Sequence, residues 1–258
     1  MLDKFAKKIY ELIPNQVRIV VVLALFKVGV SFGEVADEAI ILGLKSSRLL
    51  RRSGKLDLVL HIGGHRGQEA KIYEGLGAKV IVWVEADPKH IESLKTMSNK
   101  RTRSLHRVVN CIAASQDGDV KTLIRFSNDG ASNSVFRPNE NMKSNFPNLS
   151  ETNENVEVRT LTLPSVLKEL HIRLEDFEKC LLVLDVQGYE LEVLNGCSED
   201  FLNHFQMIIS EVSPTPLYHN SSKANEVIKK LENLGFAAIS TIPKFHGDVV
   251  FKAAVSVS

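Results

Sequence analysis

Val59-Leu60-His61-Ile62-Gly63-Gly64-His65-Arg66-Gly67-Gln68 is the stretch on which the fold turns. An apolar run from Leu56 to Ile62 enters a glycine-rich turn, and a helix-like segment, Gln68 to Leu76, follows it. A second apolar run, Val80-Ile81-Val82-Trp83-Val84, ends in Glu85. Strand, tight loop, helix, parallel strand and acid in that order form the first half of a doubly wound nucleotide-binding fold. Glycines let the loop backbone approach a ligand, and the helix start offers free amide hydrogens to an anion. A carboxylate at the end of the second strand can hold two ribose hydroxyls.

The glycine spacing separates two ligand classes. A dinucleotide loop reads G-x-G-x-x-G, but counting from Gly63 the third position is His65 and the sixth is Gln68. The loop is instead G-G-x-x-G. A bulky His65 where backbone must meet a pyrophosphate argues against NAD, whereas a smaller anion such as an amino-acid carboxylate is tolerated. Glu85 stands 18 residues after Gly67, near the ~20 expected of a ribose-binding acid. An adenosine with an amino-acid tail, S-adenosyl-L-methionine, satisfies both facts. On the loop pattern alone, a strand-to-helix turn with no ligand stays open as the alternative.

The 258 residues are 44% hydrophobic and 24% charged, with formal net charge +1. That composition suits a globular protein with a full core and argues against nucleic acid as the main partner. Cys111, Cys180 and Cys197 are odd in number, scattered and without metal-ligand spacing, which points to a reducing, cytoplasmic setting. Val17 to Val30 is mostly apolar but is interrupted by Arg18 and Lys27, too short for the ~20 residues of a membrane span. It reads as a helix packed on the main domain or in a homodimer interface. The basic, amphipathic segment Lys4 to Leu12 leaves a peripheral membrane contact open.

Residues 1–55 therefore read as an N-terminal helical extension and 56–258 as the main α/β domain. Within it, Pro88 starts a helix to about Met97, and Leu105 to Ala114 is the third strand. Asp117-Gly118 turns into Val120 to Phe126 as a hairpin partner. Residues 127–153, rich in Asn, Ser, Pro and Gly, form part of a lid or a substrate wall, or else a disordered surface insert. Asn155 to Thr160 alternates as a strand, and Pro164 opens a helix, Leu163 to Leu170, with a turn at Leu174 to Phe177. The second strong signal is Leu181-Leu182-Val183-Leu184-Asp185-Val186-Gln187-Gly188-Tyr189-Glu190, an apolar strand ending in an acid. A helix to Leu194 follows, closed by Gly196. Met207 to Ser210 is a buried strand ending at Glu211, and Asn225 to Leu234 is a helix stopped by Gly235. Phe236 to Ile242 and Asp248 to Ala254 close the chain as an antiparallel pair.

In an open parallel sheet the ligand crevice lies at the carboxyl ends of the strands. Loop 63–67, Glu85, Asp185 and Glu211 all follow apolar strands and so converge on one rim. For each acid alone, a helix cap or solvated turn is the competing reading. If a methyl group on a sulfonium is displaced by an alcohol, the alcohol must lose a proton, and Asp185 and Glu211 are the first acceptors to consider. His65 and His246 come next. Two nearby carboxylates could instead hold a divalent cation, for which the sequence offers no support.

These residues resemble the FkbM family of S-adenosylmethionine-dependent methyltransferases, over about Asp57 to Lys252. Asp185-Val186-Gln187-Gly188-Tyr189-Glu190-Leu191-Glu192-Val193-Leu194-Asn195-Gly196 looks like the family's D-V-[EQ]-G-x-E-x-x-V-L-x-G signature. Gly63 to Gln68 resembles its cofactor loop and Val84-Glu85-Ala86-Asp87-Pro88 its F-E-P-like segment. Ala131-Ser132-Asn133-Ser134, Val158-Arg159-Thr160-Leu161, Ile209-Ser210-Glu211-Val212 and Gly247 to Phe251 match further stretches.

The resemblance implies a class I methyltransferase, Rossmann-like sheet, mostly parallel with an antiparallel last strand, and O-methylation of a sugar, glycan or small-molecule hydroxyl. It implies cofactor contacts at His61, Gly63, Gly64, His65, Gly67, Gln68, Glu85, Ala86 and Ala113 and a substrate-side role near Asp185, which with Glu211 is the catalytic candidate; no metal ligand is named. Three positions depart from the pattern: His61 replaces an aspartate, Thr162 the aspartate of T-L-D, and Val183 a common lysine. They keep a second reading open, a catalytically degenerate cofactor-binding or scaffold protein of the same fold.

Overall fold

All five residues of the strand Leu58–Ile62 are buried, because both faces of the sheet at that point are covered. Such two-sided burial is why its sequence runs nearly without polar residues. In the computed structural model, which describes residues 55–254, the elements follow in the order β1 (Leu58–Ile62), α1 (Ala70–Gly75), β2 (Val80–Glu85), α2 (Pro88–Asn99) and β3 (Leu105–Asn110). Next come β4 (Ile112–Ala113), β5 (Val120–Leu123), α3 (Glu140–Asn145), β6 (Val156–Leu161), α4 (Leu163–Glu169) and a 3-10 turn, Leu174–Asp176. The chain continues through β7 (Cys180–Leu184), α5 (Glu190–Asn195), α6 (Glu199–Asn203), β8 (Phe205–Val212), α7 (Ala224–Asn233), β9 (Phe236–Ala238) and β10 (Gly247–Ala253). The expected N-terminal helices, with the dimer and membrane contacts attached to them, lie outside the described residues.

The main sheet has seven strands in the order β3-β2-β1-β7-β8-β10-β9. β3, β2, β1, β7 and β8 are parallel, and β10 runs antiparallel to both β8 and β9. This is the doubly wound α/β sheet with a reversed last strand that the sequence led us to expect. Strand order reverses between β1 and β7, so the crevice of such a fold opens at their carboxyl ends. Leu58, Leu60, Ile62, Val82, Leu182 and Leu184 meet Val166, Val193 and Leu231 of α4, α5 and α7 in the main core. Each such side chain contributes roughly 1.5–3 kcal/mol by leaving water. Among the described residues no helix is long and apolar enough to cross a membrane.

Three expectations change. The third strand does not run unbroken from Leu105 to Ala114: it ends at Asn110, and β4 leaves the main sheet to pair in parallel with β6. The Asp117-Gly118 turn forms, with Gly118 at φ +85°, but β5 is not a hairpin partner of the preceding strand. It pairs antiparallel with β6, giving a small sheet in the order β4-β6-β5. The reason is Thr160: its carbonyl accepts the Gly118 amide at 3.1 Å, and its hydroxyl accepts the Asp119 amide at 3.0 Å. Gly196 does not close α5 in a left-handed conformation, since its φ is −79°. Glycine is needed there for close approach, as a Cβ would stand 2.3 Å from the Ala114 carbonyl oxygen.

Residues 127–153 are mostly exposed, with Ser134 and Met142 buried. Met142 of α3 joins Ile124, Phe126, Leu217 and Tyr218 in a second apolar cluster beside the crevice.

Candidate functional site

The glycine loop is shaped by the strand ends that flank it. Gly63 and Gly64 both donate to the Val84 carbonyl, at 2.9 and 3.0 Å, which folds the chain back over β2. Gly63 has φ +89°, and a Cβ there would lie 1.8 Å from the Asp185 carbonyl oxygen, so only glycine fits between β1 and β7. Gly67, at φ +68°, holds a backbone conformation that side chains rarely adopt, and a Cβ there would displace the end of the Met97 side chain. His65 is itself left-handed, at φ 41°. Its amide donates to Glu85 Oε2 at 2.6 Å, and the Asp87 amide donates to Oε1 at 2.7 Å. Glu85 thus ties the loop to β2, and its burial pushes its carboxyl pKa up. Each carboxylate oxygen keeps a further lone pair for a ribose hydroxyl.

Around this loop, Gln68 braces the turn through the Arg66 amide at 3.1 Å and His65 Nδ1 at 3.0 Å. The Ala86 carbonyl accepts from Asn110 Nδ2 at 2.9 Å, and Ala113 is buried in β4. Asp87 caps α2 by accepting the Lys89 amide at 2.9 Å. The same buried carboxylate pairs with Arg125 and accepts from Asn133 Nδ2 at 2.9 Å, fastening the 127–134 segment to the rim.

His61 faces away from the main core, with Nδ1 2.8 Å from the Tyr73 hydroxyl and its ring 5.1 Å from that of Trp83. Burial pushes its pKa down to about 4 against the pull of the Asp185 charge, so the ring is neutral at pH 7.

At the other side of the rim, β7 and β8 bring Asp185 and Glu211 together through a residue between them. Gln187, left-handed at φ 54°, donates from Nε2 to Asp185 Oδ1 at 2.8 Å and to Glu211 Oε2 at 2.7 Å. Its Oε1 accepts the Tyr218 hydroxyl at 2.9 Å, and its carbonyl accepts the Ser134 hydroxyl at 2.8 Å. Glu211 Oε1 lies 2.8 Å from His246 Nε2, and His246 Nδ1 lies 2.8 Å from the Ser213 hydroxyl. The Glu190 carboxylate, wholly buried, accepts the amides of Val186 and Gly188 and so sets the turn that carries Gln187. Burial pushes its pKa up to about 7.

Gln187, Tyr218 and Asn133 are the members that residue-by-residue reading did not single out. Gln187 was visible only as a letter of the signature. Its role depends on β7 and β8 being neighbours, with Leu184 opposite Ser210. Among the described residues no group of three or more His, Cys, Asp or Glu side chains is placed to hold a metal ion. The Gln187 amide occupies the place between Asp185 and Glu211 that a shared cation would need.

The family pattern described as Methyltransferase FkbM domain matches residues 61–237. The chain belongs to the FkbM methyltransferase family. Comparison with curated proteins returns no match. Among solved structures the chain is similar to magnesium protoporphyrin IX methyltransferase from Synechocystis PCC 6803 with bound S-adenosylmethionine. That pair is 11% identical over 84% of this chain and 77% of the other, with a TM-score of 0.44. It is also similar to a putative RNA methyltransferase from Pyrococcus horikoshii, 10% identical over 85% and 84%, TM-score 0.42. Aeropyrum pernix fibrillarin in complex with natively bound S-adenosyl-L-methionine is 12% identical over 76% and 66%, TM-score 0.42.

The three departures from the FkbM pattern have local explanations. Thr162 is the N-cap of α4, accepting the Ser165 amide at 3.3 Å, a task threonine shares with aspartate. His61 and Val183 are register partners across β1 and β7. An aspartate and a lysine at those positions would face each other, and this FkbM chain replaces both with uncharged side chains.

Proposed function

We propose that this FkbM-family methyltransferase uses S-adenosyl-L-methionine to methylate a hydroxyl on a sugar, glycan or small metabolite. In this reading residues 56–258 form the catalytic domain and 1–55 a helical extension. The observation that carries it is the chain Asp185–Gln187–Glu211–His246 at the crevice rim. The cofactor, when bound, supplies a methyl group on positive sulfur and leaves as the neutral thioether. Glu85 fits it by offering acceptor capacity for a ribose, while the amides of residues 63–67 are all engaged within the loop and its flanks, so the loop offers no free donor there. His61, neutral at pH 7 and packed against Tyr73 and Trp83, brings no positive charge to the strand end.

What the chain itself must do is align an acceptor oxygen, exclude water and take one proton. Asp185 and Glu211, fixed by a single amide, can hold a hydroxyl in one orientation. As the acceptor O–H bond breaks and the O–CH3 bond forms, Glu211 takes the proton and shares it with His246. His246, 26% exposed, returns it to solvent. Tyr218 and the wall at 132–134 close the side of the site nearest Gln187.

Calorimetry with S-adenosylmethionine and S-adenosylhomocysteine tests the cofactor, and mass spectrometry of extracts treated with labelled methyl donor tests the acceptor. Glu211→Gln is expected to bind cofactor within about twofold of the parent. It should lose roughly 100-fold or more of turnover, the range for a general base. Equal turnover removes Glu211 from the mechanism. Tight binding with no labelled product favours a cofactor-binding protein without turnover.

A further inference from the structure

We propose that His90 receives the adenosyl half of the cofactor, in the place that Gly130 fills in this structure; this rests on the cofactor reading above. His90 lies in the first turn of α2 and is 2% exposed. Its Nε2 is buried without a hydrogen-bond partner. Nearly all buried polar atoms in folded proteins are paired, so an orphan on the rim of a ligand crevice asks for a reason. What faces it is backbone: a Cβ on Gly130 would stand 2.6 Å from Nε2, and the bare methylene there offers no donor or acceptor.

His65 links this nitrogen to the ribose acid. Its ring lies 4.2 Å from that of His90, while its amide is held by Glu85. Glu85 and His90 thus flank one residue of the glycine loop. A nucleoside anchored by its ribose at Glu85 meets His90 with its base.

The contacts that hold the 128–131 segment differ in strength from those that follow it. Asp129 pairs with Arg66 and, at 3.6 Å, with Lys89, and these side chains are 40–60% exposed. Exposed pairs of this kind are screened by water and release readily. The Asp129 carbonyl accepts from His65 Nε2, at 3.0 Å. By contrast Asn133 and Arg125 are held by Asp87, which is 1% exposed. In this proposal the outer part lifts, opening the 3.0 Å bond from the Asn133 amide to the Gly130 carbonyl, while Asn133 and Arg125 stay on Asp87; Asp129 and Gly130, left-handed at φ +61° and +91°, take up the change. Burial keeps His90 neutral by pushing its pKa down, so Nε2 meets the nucleoside as an uncharged hydrogen-bonding group.

The test compares the intact chain with His90→Phe and His90→Gln. Thermal unfolding is measured without ligand, and calorimetry with S-adenosylmethionine, S-adenosylhomocysteine and adenosine. His90→Phe removes the orphaned nitrogen, so its ligand-free midpoint should rise by about 2–4 °C. Its affinity for all three ligands should fall about tenfold, the value of one hydrogen bond of about 1.4 kcal/mol. His90→Gln restores a polar atom and should recover most of that affinity. Parent-like binding by His90→Phe overturns the proposal. So does a joint fall in midpoint and affinity that His90→Gln does not repair, since that marks a packing role. A parent protein that binds none of the three ligands removes the cofactor reading itself, and this inference with it.

Discussion

Replacing Glu190 by glutamine should make the protein more stable at alkaline pH than it is in its native form. The carboxyl is wholly buried, and desolvation lifts its pKa from 4.5 to about 7. The folded state therefore holds this proton more tightly than the unfolded state does. The stability it confers is complete below about pH 4.5 and is lost as pH rises through about 7. At about 1.4 kcal/mol per pH unit the loss sums to about 3 kcal/mol. Glutamine carries no charge to desolvate, and its carbonyl can still accept the Val186 and Gly188 amides that Glu190 accepts at 3.3 and 3.1 Å. Those bonds weaken somewhat with a neutral acceptor. The expected gain for Glu190→Gln is thus close to zero near pH 4.5 and about 2–3 kcal/mol at pH 8. Urea unfolding of both proteins across that range reads it directly, with equal slopes confirming that compactness is unchanged. If the two stabilities run parallel from about pH 5 to 8, Glu190 does not titrate as its burial demands, and the reasoning fails.

Gly63→Ala forces an L side chain into φ +89° and against the Asp185 carbonyl, and should cost about 3 kcal/mol or more. A thermal midpoint roughly 6–12 °C lower would register it, and an unchanged midpoint would contradict the geometry. Glu85→Ala leaves the buried Asp87 amide and the part-buried His65 amide unpaired, a loss of up to about 1–3 kcal/mol each, so weaker cofactor binding there would be ambiguous. Glu85→Gln keeps one acceptor of the two and turns a donor toward the other amide, so it is the milder probe: with thermal unfolding as control, calorimetry should show S-adenosylmethionine affinity about tenfold lower, and parent-like affinity would exclude a ribose contact.

How much could be read from residues alone follows from how local each requirement is. The glycine loop and the strand-end acids were legible because Gly63, Gly67 and Glu85 answer to the backbone within a few residues of themselves or one strand away. The buried parallel strands were legible from apolar runs such as Leu181 to Leu184, which demand cover on both faces, whereas their order across the sheet was not. The fate of β5 was not legible, since the Asp117-Gly118 turn is equally good for a hairpin. A hydroxyl on Thr160, more than forty residues away, decides against it. Gln187 was hidden for the same reason, as its amide has two acceptors only once β7 and β8 lie side by side. Thr162 is legible too: threonine two residues before Pro164 is a helix-start signal, and its side chain caps α4.

Trp83 is the chain's single tryptophan. Its indole is completely sequestered, donates to His106 Nδ1 at 3.0 Å and packs so near the loop that a Cβ on Gly64 would sit 3.3 Å from it. All indole emission therefore originates from one dry spot under the hairpin of glycines, next to a quenching imidazole. Any rearrangement of that loop on ligand uptake becomes an optical signal, and the protein carries its own fluorophore where a spectroscopist would have chosen to install one.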